Sequence, residues 1–332
     1  MTPACPVKPS ELVRALTLLY EARHPAHVWG SPGTGKSSVM AQVADSLGIQ
    51  LIDVRAVLLD PVDLRGLPHI NGGGRSHWAI PDFLPREGAG ILFFDEANRS
   101  APLVQNGLLQ ITLDRRLGEY RLPDGWCCML AGNRESDGGG VTKLNSALSS
   151  RLTHLDLQVD MDDWCKWALS ADVEPPVVAF LRFRPELLDK FDRTARAYPN
   201  PRSWSFVSRI VASHPDATVE HALFAGTVGE GAATEFSAFM RLYRTLPDMD
   251  AIIAKPDKAP VPDRPETLFA VASALARKAN VQNWARILTY AERLPEEFSI
   301  YMVKDSVMIH RELNETKELT KYLIAHSDVA LA

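Results

Sequence analysis

A glycine-rich stretch from Gly30 to Ser38 carries the spacing G-x-x-x-x-G-K-[ST], with Lys36 and Ser37 at its last two fixed positions. Glycines permit backbone dihedrals that a side chain forbids, so the amide groups of such a loop can surround phosphate oxygens. Lys36 would reach the β- and γ-phosphates of a nucleotide, and the Ser37 hydroxyl would take one coordination position on Mg²⁺. An ordinary Gly/Pro turn is the alternative interpretation. The predicted cofactor-binding set is continuous in the chain: Gly30, Ser31, Pro32, Gly33, Thr34, Gly35, Lys36, Ser37 and Ser38.

Two adjacent acids, Asp95 and Glu96, directly follow the apolar residues Ile91 to Phe94. An acid at the carboxyl end of a parallel strand beside a phosphate loop can hold Mg²⁺ through its water shell, and this is the role predicted for Asp95. Glu96 stands one residue further along, where it can orient or deprotonate an attacking water. Adjacent acids are ordinarily a solvated turn. The preceding apolar run and the upstream loop favour the catalytic interpretation here.

A third apolar run, Trp126 to Gly132, ends in the polar residue Asn133. A neutral amide can donate to a γ-phosphate and accept from water without adding charge that the nucleotide would have to offset. Read alone, Asn133 could merely cap a turn. The alternation of this run with the other apolar runs favours a catalytic role for its amide.

These polar residues need a parallel sheet to bring them to one edge, and the chain between them predicts one. Short apolar runs alternate with helical patterns up to about Val159, which is typical of a doubly wound α/β fold. Two stretches are too rich in turn residues for simple crossovers and are predicted to be inserts, residues 60–85 and a β-hairpin at 114–126. The predicted strands are Ala26–Trp29, Gln50–Asp53, Gly90–Phe94, Trp126–Leu130 and His154–Leu157.

Beyond about Val159 the pattern becomes helical. The predicted fold class is therefore α/β, a P-loop NTPase parallel-sheet domain followed by helical regions. The domain boundaries are predicted at 1–158, 159–253 and 254–332. Two stretches are predicted to connect helices: Gly226 to Gly231 as a helix–helix turn, and the proline-rich segment from Ala254 to Glu266 as a linker or long surface loop.

Composition excludes several classes of protein. The 332 residues are 46% hydrophobic and 23% charged, which suits a globular chain of two or three domains. No apolar run reaches membrane-spanning length and the N-terminal residues lack a signal peptide's apolar core, so a cytoplasmic location is expected. The net charge of −5 contains no long basic block, so nucleic-acid binding is not favoured. The histidines show no metal-binding spacing. A structural role is predicted for all four cysteines: Cys5, Cys127, Cys128 and Cys165.

Taken together, these motifs resemble those of AAA+ ATPases, and within them the MoxR-like branch. GSPGTGKS corresponds to Walker A, ILFFDEANRS to Walker B, LAGN to sensor 1, and LNSALSSRLTHLDL to the segment that bears an arginine finger. The tripeptide Ala97–Asn98–Arg99 after the acids is typical of this branch. Both inserts fall where the resemblance implies a helix-two insert and a pre-sensor-1 hairpin. The resemblance covers Val28 to about Ser205. It implies that the helical half of the chain is an all-helical lid, and because that half is longer than a lid needs, a helical C-terminal extension is predicted after it.

The resemblance implies two further catalytic residues and a set of partners. Arg151 would project into the nucleotide site of a neighbouring subunit, where it would neutralise charge on the transferring phosphoryl group. Arg202 would reach the γ-phosphate of its own subunit from the sensor-2 position. ATP and Mg²⁺ would be the cofactors. The chain would assemble into a homo-oligomeric ring, expected to be a hexamer, and a von Willebrand factor A domain protein would be its partner. Hydrolysis would drive remodelling or maturation of a client protein.

Residues of the inserts invite other interpretations. His77 and Trp78 could grip a substrate in a central pore, and Arg115, Arg116 or Tyr120 could line the hairpin. Solvent-facing or packing roles are the preferred interpretation of all five.

Two other functions stay open from the residues alone. A nucleic-acid motor or loader would need a basic loop. The first insert offers only Arg65 and Arg75, which argues weakly against this function. A nucleotide-gated switch with little turnover would have no need of the water-orienting Glu96.

Overall fold

Short apolar strands separated by helices fold into a six-stranded parallel sheet in the first of two compact units, Met1–Asp160 and Met161–Ala332. The computed structural model describes residues 5–70, 73–138 and 143–326. In chain order the first unit contains β1 (Pro6–Val7), α1 (Pro9–Glu21), β2 (Ala26–Trp29), α2 (Lys36–Leu47), β3 (Gln50–Arg55), α3 (Pro61–Arg65), β4 (Leu67–Ile70), β5 (Ser76–Ala79), β6 (Ala89–Asp95), α4 (Pro102–Leu113), β7 (Arg116–Leu117), β8 (Tyr120–Arg121), β9 (Gly125–Gly132), α5 (Ser146–Ser149) and β10 (Thr153–Leu157).

The strands lie in the order β1-β10-β2-β9-β6-β3, with every neighbouring pair parallel. All five predicted strands are present, and β2 has the predicted bounds. β1 was not predicted, because two residues are too few to show a periodic pattern. The central strands β2, β9 and β6 are neighbours, so the residues that follow them meet at one edge of the sheet.

Helices cover both faces of this sheet. Along β6, Ile91 and Phe93 pack against α1 and α2, whereas Leu92 and Phe94 pack with α4 on the opposite face. Alternate residues of a strand point to opposite faces, so an uninterrupted apolar run is what a strand buried on both sides requires. The predicted α/β parallel-sheet class is confirmed.

Both inserts contain antiparallel hairpins. In the first insert β4 pairs with β5, and residues 71 and 72 between them lie outside the described residues. In the second, β7 pairs with β8 as the alternating pattern predicts. The buried Tyr120 hydroxyl donates to the Pro85 carbonyl at 2.6 Å, and Arg115 donates to two backbone carbonyls of the same hairpin region. These two side chains hold the hairpin in place, while Arg116 is exposed.

The second unit is helical throughout its described residues. Its aromatic core includes Phe180, Trp204 and Phe236, whose ring centroids lie 5.1–5.5 Å apart. Its elements are α6 (Met161–Ser170), α7 (Pro175–Phe183), α8 (Pro201–Ala212), α9 (Ala217–Val228), α10 (Glu230–Arg244), α11 (Met249–Ala254), α12 (Pro265–Lys278), α13 (Trp284–Ala291), α14 (Glu296–Ile309) and α15 (Lys317–Ala325).

Both predicted helix connections are present in this unit, but the first is shorter than predicted, because Gly226 lies within α9 and Gly231 within α10. Gly229 forms the turn between α9 and α10, and a loop joins α11 to α12. That loop packs against the unit, because Ala259 is buried and Tyr290 donates to the Pro260 carbonyl at 2.8 Å. Division of the unit into a lid and an extension at residue 254 stays a prediction. Among the described residues no helix is both long and apolar enough to cross a bilayer.

The buried cysteines have the environments of structural residues. Cys127, Cys128 and Cys165 are buried free thiols, while Cys5 is an exposed one. Burial raises the pKa of the Cys127 thiol to about 11 and that of the Cys165 thiol to about 11, so both stay protonated near neutral pH.

Candidate functional site

The loop between β2 and α2 has the backbone that the glycine spacing requires. Gly33 and Gly35 have φ angles of 85° and 98°, a region that L-residues with side chains seldom occupy. Gly35 is the N-cap of α2, and no side chain caps this helix end. The first N–H groups of a helix have no partner within it, and they carry the positive end of the helix dipole. The loop and helix end therefore fit a phosphate group.

Lys36 joins this loop to the end of β9. Its Nζ donates to the Gly30 carbonyl at 2.7 Å, to the Ser31 carbonyl at 3.1 Å and to Asn133 Oδ1 at 2.9 Å. The residue is only 9% exposed, so the ammonium is fixed against the sheet edge rather than moving in solvent. The loop lysine and the amide predicted from a distant part of the sequence are thus in direct contact.

A hydroxyl and a carboxylate meet beside Lys36. Ser37 Oγ donates to Asp95 Oδ2 at 3.1 Å, and Asp95 is 6% exposed. These are hard oxygen donors of the kind that Mg²⁺ prefers, so the pair fits the predicted metal-binding role. Arg55 Nη1 lies 3.5 Å from the same carboxylate oxygen, and Asp53 precedes it on β3. Burial, and secondarily the charge of Asp95, raises the pKa of Asp53, with Arg55 opposing the shift.

Glu96 adopts a left-handed backbone conformation, with φ of 55°. Such conformations are uncommon for residues other than glycine and concentrate at functional sites. Its N–H donates to Asp95 Oδ1 at 2.9 Å, and its carboxylate accepts from Arg99 Nη1 at 3.2 Å. The turn therefore separates the two acids: Asp95 faces Ser37, and Glu96 contacts Arg99.

Arg134, next to Asn133, connects three parts of the first unit. Its Nε donates to Asp156 Oδ1 at 2.6 Å, its Nη2 to the Leu157 carbonyl at 2.9 Å and its Nη1 to Ser31 Oγ at 3.3 Å. The end of β10 is thereby joined to the loop between β2 and α2. Sequence reasoning interpreted Arg99 only as part of a motif, and it missed Arg134 and Arg55, whose partners come from other strands or from the loop after β2. Their only sequence signal is a position close to the end of a strand.

Two histidines and a tryptophan lie beneath the loop. His27 is completely buried, and among the described residues neither of its ring nitrogens has a hydrogen-bond partner. Desolvation by burial, followed by electrostatic interaction with His154 and with Lys36, lowers the pKa of His27 well below its ordinary value. Trp29 Nε1 donates to His154 Nδ1 at 2.9 Å, so Nε2 carries the His154 proton and donates to the Ser149 carbonyl at 2.8 Å.

The other two predicted catalytic residues, Arg151 and Arg202, belong to different units. Arg151 follows α5, and its guanidinium donates to the Ala147 carbonyl of that helix. Arg202 belongs to the second unit, where it is exposed in the first turn of α8 behind the Asn200 cap. The structure thus brings together Lys36, Ser37, Asp95 and Asn133, whereas the roles of Arg151 and Arg202 stay predictions.

No family model matches the chain, and no curated protein matches it in sequence. Among solved structures, it is similar to the Thermotoga maritima RuvB Holliday junction branch migration motor, with 18% identity over 83% of this chain and 84% of that chain and a TM-score of 0.39. It is also similar to NtrX from Brucella abortus in complex with ATP, with 13% identity over 96% and 67% of the two chains and a TM-score of 0.43. Likenesses of this degree carry no argument about activity.

Proposed function

We propose that this chain binds ATP with Mg²⁺ and hydrolyses it, as an AAA+ ATPase of the MoxR-like family. One observation carries the proposal. The loop after β2, the acid at the end of β6 and the amide after β9 converge, with Lys36 Nζ 2.9 Å from Asn133 Oδ1 and Ser37 Oγ 3.1 Å from Asp95 Oδ2. A glycine turn without function would not need these contacts.

The side chains divide the work of hydrolysis between them. Lys36 and the loop amides bind the phosphates, and Ser37 and Asp95 hold Mg²⁺, which neutralises charge on the phosphate oxygens when bound. Asn133 Oδ1 accepts a hydrogen bond from Lys36, so the Asn133 Nδ2 group is the donor that can bind the γ-phosphate. Glu96 orients the attacking water and takes its proton. To do so, its carboxylate releases Arg99 Nη1 and accepts a hydrogen bond from that water instead.

The finer part of the proposal rests on the motifs. Arg151 acts on the nucleotide of a neighbouring subunit, and Arg202 on that of its own. An arginine supplied in trans requires a head-to-tail interface, and such an interface closes into a ring when its rotation permits. We propose a hexamer that remodels a client protein together with a von Willebrand factor A domain partner.

Steady-state ATP hydrolysis tests the enzymatic part of this proposal. Lys36→Ala is expected to abolish both ADP binding and turnover. Glu96→Gln is expected to lower kcat about 100-fold or more while leaving ADP affinity nearly unchanged, because it removes the proton acceptor and not a phosphate contact. Tyr120→Phe, which deletes a buried hydrogen bond in the β7–β8 hairpin, is the control and should keep full turnover. Equal kcat for Glu96→Gln and the unmodified protein would favour a nucleotide-gated switch.

A further inference from the structure

Asn98 is a completely buried amide in the turn that follows the two acids. Its Nδ2 donates to the backbone carbonyl of Asn133 at 2.8 Å. The bond therefore runs from the turn after β6 to the residue after β9. Removing one partner of a buried hydrogen bond leaves the other unsatisfied at a substantial free-energy cost, so such bonds hold backbone groups in place.

Gly132 shows how closely this side chain approaches β9. A Cβ atom at Gly132 would lie 2.2 Å from Asn98 Oδ1 and 3.1 Å from His27 Cε1. A real Cβ does not tolerate a separation of 2.2 Å, so only glycine fits at this position while Asn98 occupies the space. The amide of Asn98 thus takes the volume that a side chain of the strand would otherwise fill.

The residue that Asn98 holds is the one that contacts the loop lysine. Asn133 Oδ1 accepts from Lys36 Nζ at 2.9 Å, while its backbone carbonyl accepts from Asn98. Fixing the carbonyl fixes the backbone from which the Asn133 side chain projects. A side chain must be held within a fraction of an ångström to act in catalysis, and supporting hydrogen bonds supply that restraint.

We infer that Asn98 is a positioning residue for hydrolysis, which acts by holding the Asn133 amide against Lys36 and the γ-phosphate. The inference rests on the proposed function and adds to it. Asn98 touches neither nucleotide nor water in this role. It ties the catalytic amide to the same turn that presents Glu96, so that the two groups move together.

A double-mutant cycle on kcat, with ADP affinity measured in parallel, separates this role from simple stabilisation. Asn98→Ala is expected to lower kcat about ten-fold or more, while the Kd for a fluorescent ADP analogue changes less than about three-fold. In the Asn133→Ala background the same substitution should change kcat less than about two-fold, because the group that Asn98 positions is already gone. Tyr120→Phe is the matched control, since it also removes a buried donor from a backbone carbonyl.

Asn98→Leu repeats the measurement with a residue of similar volume and no donor, should the alanine variant fail to fold. Unchanged kcat in a folded Asn98 variant, or equal losses in the two backgrounds, would overturn the positioning role and leave the proposed function standing. Absence of hydrolysis in the unmodified protein would overturn both together.

Discussion

At the scale of single residues, the Lys36 ammonium lies against neutral acceptors and near a neutral histidine. Two loop carbonyls and the Asn133 amide accept from Lys36, and His27 lies buried nearby in its neutral form. The proximity of Lys36 is one of the reasons that the pKa of His27 is low. Protonating His27 would place a second positive charge beneath the loop without a partner, which a buried site resists.

His27 should therefore make the protein sensitive to acid. A histidine with a depressed pKa binds its proton more readily in the unfolded chain, so stability is fully present above pH 6.5 and falls as the pH drops below it. The slope from this residue is up to about 1.4 kcal/mol per pH unit. Urea unfolding between pH 7.5 and 5 measures it. His27→Leu should flatten the dependence, and a His27→Leu profile identical to that of the unmodified protein would contradict the assignment.

At the scale of elements, the strand order explains which side chains meet. The apolar runs of the sequence were sufficient to predict five strands and the residues at their ends, because strands buried on both faces must be apolar. The register between neighbouring strands could not be predicted from the sequence. The register of β3 against β6 places Arg55 opposite Asp95. Arg134 follows β9, and its side chain contacts Asp156 of β10, a strand that is not its neighbour in the sheet. Asn98 was read only as part of a motif, since its contact depends on a glycine in another strand.

Arg134 joins β9, β10 and the phosphate-binding loop, and this junction should govern both stability and nucleotide binding. Arg134→Lys keeps the charge but cannot bridge the Asp156 carboxylate, the Leu157 carbonyl and Ser31 Oγ together. We expect the free energy of unfolding to fall by about 1–3 kcal/mol, and ADP affinity to fall about three-fold or more because the loop is less preorganised. Arg116→Lys, at an exposed residue of the β7–β8 hairpin, is the matched control. An Arg134 variant with the control's affinity would show that the loop does not depend on this contact.

The turn between α9 and α10 requires a glycine. Gly229 has a φ of 84°, and an added Cβ would lie 2.8 Å from the Ala197 carbonyl oxygen. We expect Gly229→Ala to lower the free energy of unfolding by about 1–3 kcal/mol. Gly226→Ala, within α9, meets nothing within 4 Å and should stabilise by up to about 1 kcal/mol. Denaturant titrations of both variants check the opposite signs; equal shifts would contradict the steric explanation.

At the scale of the whole molecule, the second unit should depend on its C-terminal helices. Buried residues of α12 pack against α7, and Arg182 of α7 forms a buried ion pair with Asp305 of α14. A chain ending at Ala254 would lose both of these contacts of α7, along with the helices that bury them. We expect circular dichroism of this truncated chain to show loss of cooperative unfolding in the second unit. Asp305→Ala in the full chain would leave the Arg182 charge buried without this partner, at about 3–5 kcal/mol of unfolding free energy in this unit. Cooperative unfolding of the second unit after truncation would contradict the dependence.

Assembly is the property that decides between a motor and a switch. In the single chain the Arg151 guanidinium donates to the Ala147 carbonyl of α5. To act on a neighbouring subunit, it would have to leave that carbonyl and donate to the nucleotide phosphate bound by the neighbour. Light scattering of Glu96→Gln with ATP and Mg²⁺ should then give a mass of about six subunits, because trapped nucleotide holds the interface closed. In the otherwise unmodified protein, Arg151→Ala should abolish turnover while each subunit still binds ADP. A monomer that binds ATP, with turnover unaffected by Arg151→Ala, would place the whole reaction within one subunit and exclude the ring mechanism.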